Sequence, residues 1–334
     1  MSDRTTDTSL LPQRSAAQAP APVVDFHCHY LGPVFPSSVL AGTAPAQREF
    51  WESVNRQLVD HDAITATIDP RLGLAARVIS TPLEFVQQPG QSLPLDMVRR
   101  LNDSIAARVA EAPGRLYGLA TVDAYSGEAG ARELERAVRE LGLRGAFIES
   151  ARGDLLPDAS EARPTFEAAA EWRVPLFVHP VPDLPLRRRF ANCGPQRERF
   201  VRSTLNSAAV FAMVECGLFE ALPGLRVVVT ALALNGVLLS GRFDVANAPR
   251  NLYIDTTGLQ PIAIRAAVDL LGTDRVLAGS DWPVVSDPHL STRLDAALIA
   301  AGLDAPGRAR VANANVLELL GNMMRIDPAR VIPA

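Results

Sequence analysis

Residues 23–29 read VVDFHCH, a short apolar run that ends in two histidines. The run Val23–Phe26 has the composition of a buried β-strand, and His27 and His29 follow it two positions apart. Residues two apart on a strand face the same side of the sheet. We therefore expect both imidazoles to face one point at the carboxyl end of this strand, where they can bind the same metal ion.

Seven more strand-like runs follow along the chain, and helical patterns separate them. The predicted strands are Val23–Phe26, Ala76–Ser80, Leu116–Val122, Gly145–Ile148, Leu176–Val178, Arg226–Thr230, Leu252–Asp255 and Arg275–Ala278. Most are continuous apolar runs, which is typical of parallel strands that are covered on both faces. The predicted helices are Asp96–Glu111, Glu128–Leu141, Pro164–Trp172, Ser203–Leu222, Pro261–Leu271, Leu290–Ala300 and Ala305–Leu320.

This alternation, without internal repeats, predicts an α/β fold of the (β/α)8 TIM-barrel class in a single domain over residues 22–334. A doubly wound open sheet is the alternative, but no Gly-rich phosphate loop follows the first strand. Residues 1–21 are rich in Ser, Thr, Gln, Ala and Pro and are expected to form a disordered tail. Two long stretches, Leu31–Ala75 and Val181–Arg202, extend from the carboxyl ends of strands, where barrel enzymes place their active sites.

The composition excludes several classes of protein. Hydrophobic residues make up 48% and charged residues 21% of the chain, as in globular proteins. The net charge of -4 provides no basic surface for nucleic acid. No apolar run approaches the roughly 20 residues that a membrane span needs. The three cysteines are scattered, so we expect no disulfide framework and a cytoplasmic protein.

Two further signals lie at predicted strand ends. His179 follows the fifth strand, and Asp281 follows the eighth. In a barrel the carboxyl ends of all strands meet at one face, so these side chains are expected to converge with His27 and His29. Three imidazoles and one carboxylate suit Zn²⁺ or a related transition metal with an open position for water or substrate. Asp255, after the seventh strand, is expected to support this site.

With these residues the chain resembles the amidohydrolase superfamily, and within it the branch of aminocarboxymuconate-semialdehyde decarboxylase and the related aromatic-acid decarboxylases. The similar segments are 25–29 (DFHCH), 79–82 (ISTP), 176–180 (LFVHP), 217–229 with Pro223, 277–283 (LAGSDWP), and Asn313 with Asn315. The resemblance implies a metal-dependent barrel in which His27, His29, His179 and Asp281 bind one divalent ion. Zn²⁺ is favoured, with Mn²⁺ as the alternative. The resemblance also implies a small-molecule substrate and leaves a homodimer open.

The chain departs from this resemblance at the end of the predicted sixth strand, where the family usually has a His followed by glycines that acts in proton transfer. Counted back from Gly241-Arg242 without a gap, Ala231 stands at the position of that His. The neighbouring glycines are replaced as well, by residues 232–234, which favours natural divergence over a single engineered change. The acid or base role must then pass to Asp281, to His61 or to a water molecule at the metal.

Four residues are candidates for substrate binding. Arg71 and Arg187, the latter within a run of three arginines, can bind a carboxylate with two parallel hydrogen bonds. Trp282, next to Asp281, can flank an aromatic or conjugated substrate, and Asn235 lies in the altered segment after the sixth strand. The simplest alternative for each arginine is a solvated surface charge.

Three functions remain open at this point. The resemblance favours a metal-dependent carbon–carbon lyase, a decarboxylase of a small aromatic or unsaturated carboxylic acid. A metal-dependent hydrolase of an amide, lactone or imine bond is the alternative, because hydrolysis at a metal depends less on the His that Ala231 replaces. A barrel that binds metal without catalysis is the second alternative, which the altered segment after the sixth strand suggests.

Overall fold

The computed structural model describes residues 20–33, 45–60, 62–82, 85–86, 91–181, 184–194, 196–239 and 249–321. The predicted tail lies outside the described residues except for Pro20 and Ala21, and so does His61.

Parallel strands form the centre of the fold. Within the described residues the strands are β1 Val23–His29, β2 Leu74–Ser80, β3 Leu116–Gly118, β4 Ala120–Thr121, β5 Ala146–Glu149, β6 Pro175–His179, β7 Arg226–Val229, β8 Leu252–Asp255 and β9 Val276–Leu277. They pair in chain order, β1 to β3 in one sheet and β4 to β9 in a second. β3 and β4 are two halves of one barrel strand, because Leu119 alone separates them. The N–H of Leu119 donates to the carbonyl of Ile79 in β2 (2.9 Å). The N–H of Ala120 donates to the carbonyl of Gly145, which precedes β5 (2.8 Å).

Hydrogen bonds between the first and last strands close the barrel. The N–H of Phe26 donates to the carbonyl of Ala278 (2.8 Å), and that of His29 donates to the carbonyl of Trp282 (2.7 Å). In the opposite direction, the N–H of Asp281 donates to the carbonyl of His27 (2.8 Å). The molecule is therefore a (β/α)8 barrel, as the alternation of strands and helices predicts.

Helices surround the strands. Those in the described part of the chain are α1 Pro45–Val59, α2 Ala63–Ala66, α3 Leu95–Glu111, α4 Glu128–Arg139, α5 Arg163–Trp172, α6 Leu184–Arg189, α7 Arg197–Glu215, α8 Leu218–Ala221, α9 Leu234–Leu239, α10 Pro261–Leu271, α11 Leu290–Ala300, α12 Ala305–Ala309 and α13 Asn315–Gly321. The predicted helix Ser203–Leu222 begins earlier, at Arg197, and breaks at Gly217, which has a left-handed φ of 68°. The predicted helix Ala305–Leu320 contains a π-helical turn over Arg310–Ala314. None of the helices in these ranges is long and apolar enough to cross a membrane.

Alternation along the strands divides the core into two layers. Inward side chains form one cluster, which includes Phe26, Phe147 and Phe177, and the side chains of α13 pack against it. Asn315 of α13 donates to the carbonyls of Thr273 and Val276 beside the start of β9 (both 2.8 Å). α13 therefore fills the amino-terminal end of the barrel, and the carboxyl-terminal end is left for a site.

The stretch Leu31–Ala75 after the first strand contains a helix rather than an extended loop. α1 packs Val54 and Leu58 into a buried cluster with Leu31, and the N–H of Leu31 donates to the carbonyl of Leu58 (2.9 Å). Because Leu31 lies two residues beyond His29, α1 stands beside the carboxyl end of β1. The insertion is thus a wall next to the predicted site.

Candidate metal centre

The four predicted ligands converge at the carboxyl end of the barrel. One ligand atom from each of His27, His29, His179 and Asp281 lies within 4.8 Å of every other. The Nε2 atoms of His27 and His29 are 3.2 Å apart. The Oδ1 of Asp281 lies 3.1 Å from the Nε2 of His29 and 3.6 Å from the Nε2 of His27. All three imidazoles are buried. Side chains from β1, β6 and the segment after β9 thus surround one point.

The local backbone explains why the ligands face inward. The pairing of β1 with β2 shifts between Asp25 and Cys28, which is a β-bulge. A bulge places an extra residue on one strand and re-aims the side chains that follow it. His27 and His29 both contact the inner cluster: the ring of His27 lies 4.9 Å from that of Phe177, and the ring of His29 lies 6.3 Å from that of Phe147.

Asp281 has a backbone conformation that residues other than glycine rarely adopt. Its φ is 69°, in the left-handed region. Such a residue costs of order 1–3 kcal/mol and persists where the surrounding contacts fix it. The N–H of Asp281 is held by the carbonyl of His27 at 2.8 Å. The chain therefore turns sharply at this residue and directs its carboxylate toward the imidazoles.

Asp255 orients His27 from the end of β8. Its Oδ2 lies 2.6 Å from the Nδ1 of His27, and its Oδ1 accepts the N–H groups of Ala231 (2.8 Å) and Thr257 (3.0 Å). An imidazole that donates its Nδ1–H to a carboxylate presents the lone pair of Nε2, as metal-ligating histidines do. Burial lowers the pKa of His27, but the charge of Asp255 and its hydrogen bond outweigh burial and raise it.

A second buried carboxylate joins the first and last strands behind the ligands. Asp25 accepts a hydrogen bond from the guanidinium of Arg77 on β2 (2.6 Å). It also accepts hydrogen bonds from the hydroxyl (2.6 Å) and the backbone N–H (2.9 Å) of Ser280. The guanidinium of Arg77 also lies over the ring of Trp282, 5.2 Å from its centroid. Because Ser280 precedes Asp281 and Asp25 precedes His27 by two residues, this network fixes two ligand-bearing segments relative to each other.

The pKa shifts of two ligands, His179 and Asp281, favour the protonation states that bind a cation. Burial, and then the neighbouring histidines and Arg202, hold the pKa of His179 well below its usual value, so this imidazole is neutral. Burial opposes the ionisation of Asp281, but the hydrogen bond with His29 and the nearby positive charges outweigh it and lower its pKa. Asp281 is therefore a carboxylate at neutral pH.

The donor set fits one divalent transition-metal ion. Ligand atoms at about 2.1 Å from one ion are separated by roughly 3.0–3.4 Å in octahedral or tetrahedral geometry. The separations of 3.2 and 3.1 Å around the Nε2 of His29 lie in this range, and the 3.6 Å between the Nε2 of His27 and the Oδ1 of Asp281 is slightly longer. Imidazole and carboxylate ligands accept Zn²⁺, Mn²⁺ and related ions.

The structure corrects two of the predicted substrate contacts. Arg71 lies in a 3-10 turn just before β2, at the amino-terminal end of the barrel, and its exposed side chain is bonded to Asp69 (2.9 Å). A residue that immediately precedes a strand cannot reach the opposite end of that strand. Trp282 is fully buried in the outer core layer with Cys28, with which it forms an isolated parallel bridge, so it faces away from the ligand cluster.

The other predicted residues have different outcomes. Arg187 of α6 is at the carboxyl-terminal end of the barrel and pairs with Glu198 (2.9 Å). Asn235 is exposed on α9, in the segment after β7. His61 lies outside the described residues. Ala231 begins the 3-10 turn after β7, and its backbone N–H bonds Asp255.

Two charged residues near the cluster were missed in the sequence. Glu149 ends β5, is buried, and is paired in register with His179. An acid at a barrel strand's carboxyl end is a signal that the sequence does contain. Arg202 of α7 donates from Nη1 to the carbonyl of Pro180, the residue after His179 (3.0 Å). No sequence pattern distinguishes Arg202 from its arginine neighbours, because its position depends on how α7 packs on the barrel.

Comparisons with known proteins agree with this geometry. Residues 24–321 match the sequence profile of the amidohydrolase family. The chain is 26% identical over 288 residues to gamma-resorcylate decarboxylase of Rhizobium radiobacter, which covers 78% of this chain and 88% of that protein. It is 29% identical over 226 residues to 2-amino-3-carboxymuconate-6-semialdehyde decarboxylase of Dictyostelium discoideum, which covers 62% of each. The crystal structure of dihydroxybenzoic acid decarboxylase from Polaromonas sp. JS666, with bound manganese and the inhibitor 2-nitroresorcinol, superposes with a TM-score of 0.75 at 20% identity, covering 90% of this chain and 97% of that one.

Proposed function

The chain belongs to the amidohydrolase family, and on that premise we propose that it is a metal-dependent decarboxylase of a small aromatic or unsaturated carboxylic acid. The observation that carries the proposal is the convergence of His27, His29, His179 and Asp281 at the carboxyl end of the barrel. The named relatives supply the choice of reaction, because those reported above are decarboxylases.

One divalent ion is the proposed cofactor, with His27, His29, His179 and Asp281 as its ligands. The manganese in the Polaromonas structure supports Mn²⁺ beside the Zn²⁺ that the sequence favoured. When bound, such an ion acts as a Lewis acid that orients an oxygen of the substrate and stabilises negative charge that develops on it.

Asp281 is the proposed proton carrier. As a carboxylate it can accept a proton from an acidic hydroxyl or carboxyl group of the substrate. It can then return that proton to the carbon that loses carbon dioxide, so that the electron pair of the broken carbon–carbon bond forms the new carbon–hydrogen bond. A positioned acid or base typically contributes about 10²- to 10⁴-fold to a rate. His61 remains a proposed alternative.

The second candidate is a hydrolase of an amide, lactone or imine bond. The observation that favours it is the methyl group of Ala231 at the end of β7, where the decarboxylase branch is expected to have a His. The two functions differ in their product, because only the first releases carbon dioxide.

The first experiment measures bound metal and carbon dioxide release together. Wild type, His179→Ala and Asp281→Ala are purified, reconstituted with Mn²⁺ or Zn²⁺, and assayed against gamma-resorcylate and other small aromatic acids. His289→Ala, which changes an exposed histidine, is the control. We expect about one ion per chain in wild type and control, less in the two variants, and carbon dioxide release that follows metal content. A metal-loaded wild type that hydrolyses esters or amides but leaves every acid intact would favour the hydrolase. A folded wild type that binds no metal would contradict both.

Three further properties belong to the same proposal. We propose a cytoplasmic location, for which the free thiols of Cys28, Cys193 and Cys216 are the support. We also propose a homodimer, which rests on the family resemblance alone. The proposed partner is the small-molecule substrate alone, in agreement with the acidic net charge of -4.

A further inference from the structure

The amino-terminal end of the barrel carries an open cleft of about 710 Å³ beside β6, β7 and β8. Three arginines line this cleft, and each belongs to the start of a different strand. Arg173 lies two residues before β6, Arg226 is the first residue of β7, and Arg250 lies two residues before β8. Parallel neighbouring strands start side by side, so the fold brings the three side chains together at the end of the barrel opposite the ligand cluster.

The lining of the cleft is positively charged. Glu220 is its one acidic residue, against the three arginines. In the described part of the chain no carboxylate forms an ion pair with any of the three arginines, and Arg173 and Arg250 are both exposed. Arg226 donates from Nη1 to the carbonyl of Arg173 (3.1 Å), which holds these two residues together between β6 and β7. A cleft lined by one sign of charge attracts ions of the opposite sign.

Arg173 occupies a backbone position that glycine usually fills. It ends α5 with a φ of 53° and a ψ of 37°, in the left-handed region, and its N–H donates to the carbonyl of Ala170 (3.3 Å). Glycine or asparagine is the usual residue at such a helix end, because a side chain is disfavoured there. The chain thus has a long cationic side chain where the backbone alone favours glycine, which points to a role for that side chain in the cleft.

The rest of the lining gives the cleft apolar walls. Phe219 and Leu225 are buried, and Tyr253 is half-buried. The guanidinium of Arg275 lies over the ring of Tyr253, 5.3 Å from its centroid. Sites for small molecules have volumes of roughly 300–1,000 Å³ and combine apolar walls with a few polar groups. The cleft therefore has the size and the walls to hold a carbon skeleton beside the three guanidiniums.

We propose that this cleft binds a small organic dianion, a phosphate monoester or a dicarboxylate, at a site separate from the metal cluster. A guanidinium binds a phosphate or a carboxylate group with two parallel hydrogen bonds. Three arginines against one glutamate suit a doubly charged ligand. Such a ligand joins the starts of three neighbouring strands, so its binding stabilises the folded barrel whatever reaction occurs at the other end.

Calorimetry with phenyl phosphate, phthalate and neutral phenol tests the site. Each probe is titrated into Mn²⁺-loaded wild type, Arg250→Gln and Arg71→Gln. Arg71 is the matched control, because it is an exposed arginine at the same end of the barrel but before β2. We expect wild type and control to bind at least one dianion and not phenol, and the tighter dianion identifies the group that is recognised. Arg250→Gln should bind it about tenfold more weakly, the usual contribution of a hydrogen bond between charged groups.

Two further variants separate the cleft from the metal cluster and binding from folding. Asp281→Ala should bind the dianion as wild type does, because Asp281 is at the opposite end of the strands. Arg173→Gly should unfold at a temperature no lower than that of wild type, since glycine is favoured at a φ of 53°, and yet bind the dianion about tenfold more weakly.

Three results would overturn the site. The first is a wild type that binds neither dianion. The second is equal affinity of wild type, Arg250→Gln and Arg173→Gly for the dianion. The third is binding that Asp281→Ala loses and Arg250→Gln keeps, because the probe would then lie at the metal.

Discussion

Replacing Asp255 by Asn should weaken metal binding while the barrel stays folded. In wild type the Oδ2 of Asp255 faces the Nδ1 of His27 at 2.6 Å, and its Oδ1 accepts two backbone N–H groups, those of Ala231 and Thr257. An Asn that keeps its oxygen on these two donors must turn its NH₂ group toward His27. The reverse orientation would oppose the NH₂ group to two donors instead of one. The amide is therefore fixed in the orientation that conflicts with the imidazole.

The size of the expected loss of metal affinity follows from the tautomer of His27. Facing an NH₂ group, the Nδ1 of His27 becomes an acceptor, and the proton moves to Nε2, where the metal would bind. If the proton returns to Nδ1 so that Nε2 can bind the metal, the Nδ1–H of His27 faces the NH₂ group of the introduced Asn, and two donors oppose each other. Neither side chain is more than 2% exposed in wild type, so water cannot relieve this contact. A buried unsatisfied donor costs about 1–3 kcal/mol, and loss of such an outer partner typically lowers metal affinity about 10- to 100-fold. The hydroxyl of Thr257, 2.8 Å from the same Nδ1, is the residual acceptor that keeps the loss within this range.

The assay is competition for Mn²⁺ with a fluorescent chelator at fixed pH, together with thermal unfolding of the metal-free proteins. Asp69→Asn is the matched control, because it makes the same chemical change in a carboxylate bonded to Arg71 at the other end of the barrel. We expect the control to bind Mn²⁺ like wild type and Asp255→Asn to bind it at least tenfold more weakly. An Asp255→Asn protein whose affinity lies within twofold of wild type would refute the argument that Asp255 sets the tautomer of His27.

Two further predictions follow from the same structure. Arg77→Met leaves the carboxylate of Asp25 buried without its cation, so we expect the free energy of unfolding, measured by denaturant titration, to fall by about 3–5 kcal/mol. The control Arg71→Met removes an exposed ion pair and should leave the free energy of unfolding nearly unchanged. Equal effects of the two variants would contradict the role of the buried pair. Ala231→His should raise the rate of carbon dioxide release by about 10²-fold, the lower end of what a positioned acid or base contributes, and an unchanged rate would mean that another residue already fills that role.

The fold and the convergence of four side chains could be predicted because both depend on strand periodicity. Continuous apolar runs separated by helical patterns indicate a parallel barrel, and a polar residue just past such a run lies at its carboxyl end. The same rule identifies His27, His29, His179 and Asp281 one strand at a time, and the closed barrel brings them within 4.8 Å. Only local sequence was needed for each residue.

Arg71 and Trp282, two of the four predicted substrate contacts, lie away from the ligand cluster. Arg71 is followed within three residues by β2, so its place in the chain already excludes the carboxyl-terminal face. Trp282 forms a parallel bridge with Cys28, and both side chains lie in the outer core layer. Arg202 is a different case, because its approach to Pro180 depends on the packing of a helix against two strand ends, and no periodicity in the sequence encodes that packing.

The contacts of Asp255 explain how Ala231 can stand at this position beside an intact cluster. Asp255 bonds Ala231 through its backbone N–H, which any residue except proline can supply, and bonds His27 through its other oxygen. A change of side chain at 231 therefore leaves the support of the ligand unchanged and alters only what can exchange a proton with the substrate. The two variants should therefore affect different properties. Ala231→His should change the rate of carbon dioxide release and leave the Mn²⁺ affinity unchanged. Asp255→Asn should lower the Mn²⁺ affinity and change the rate only through the metal content.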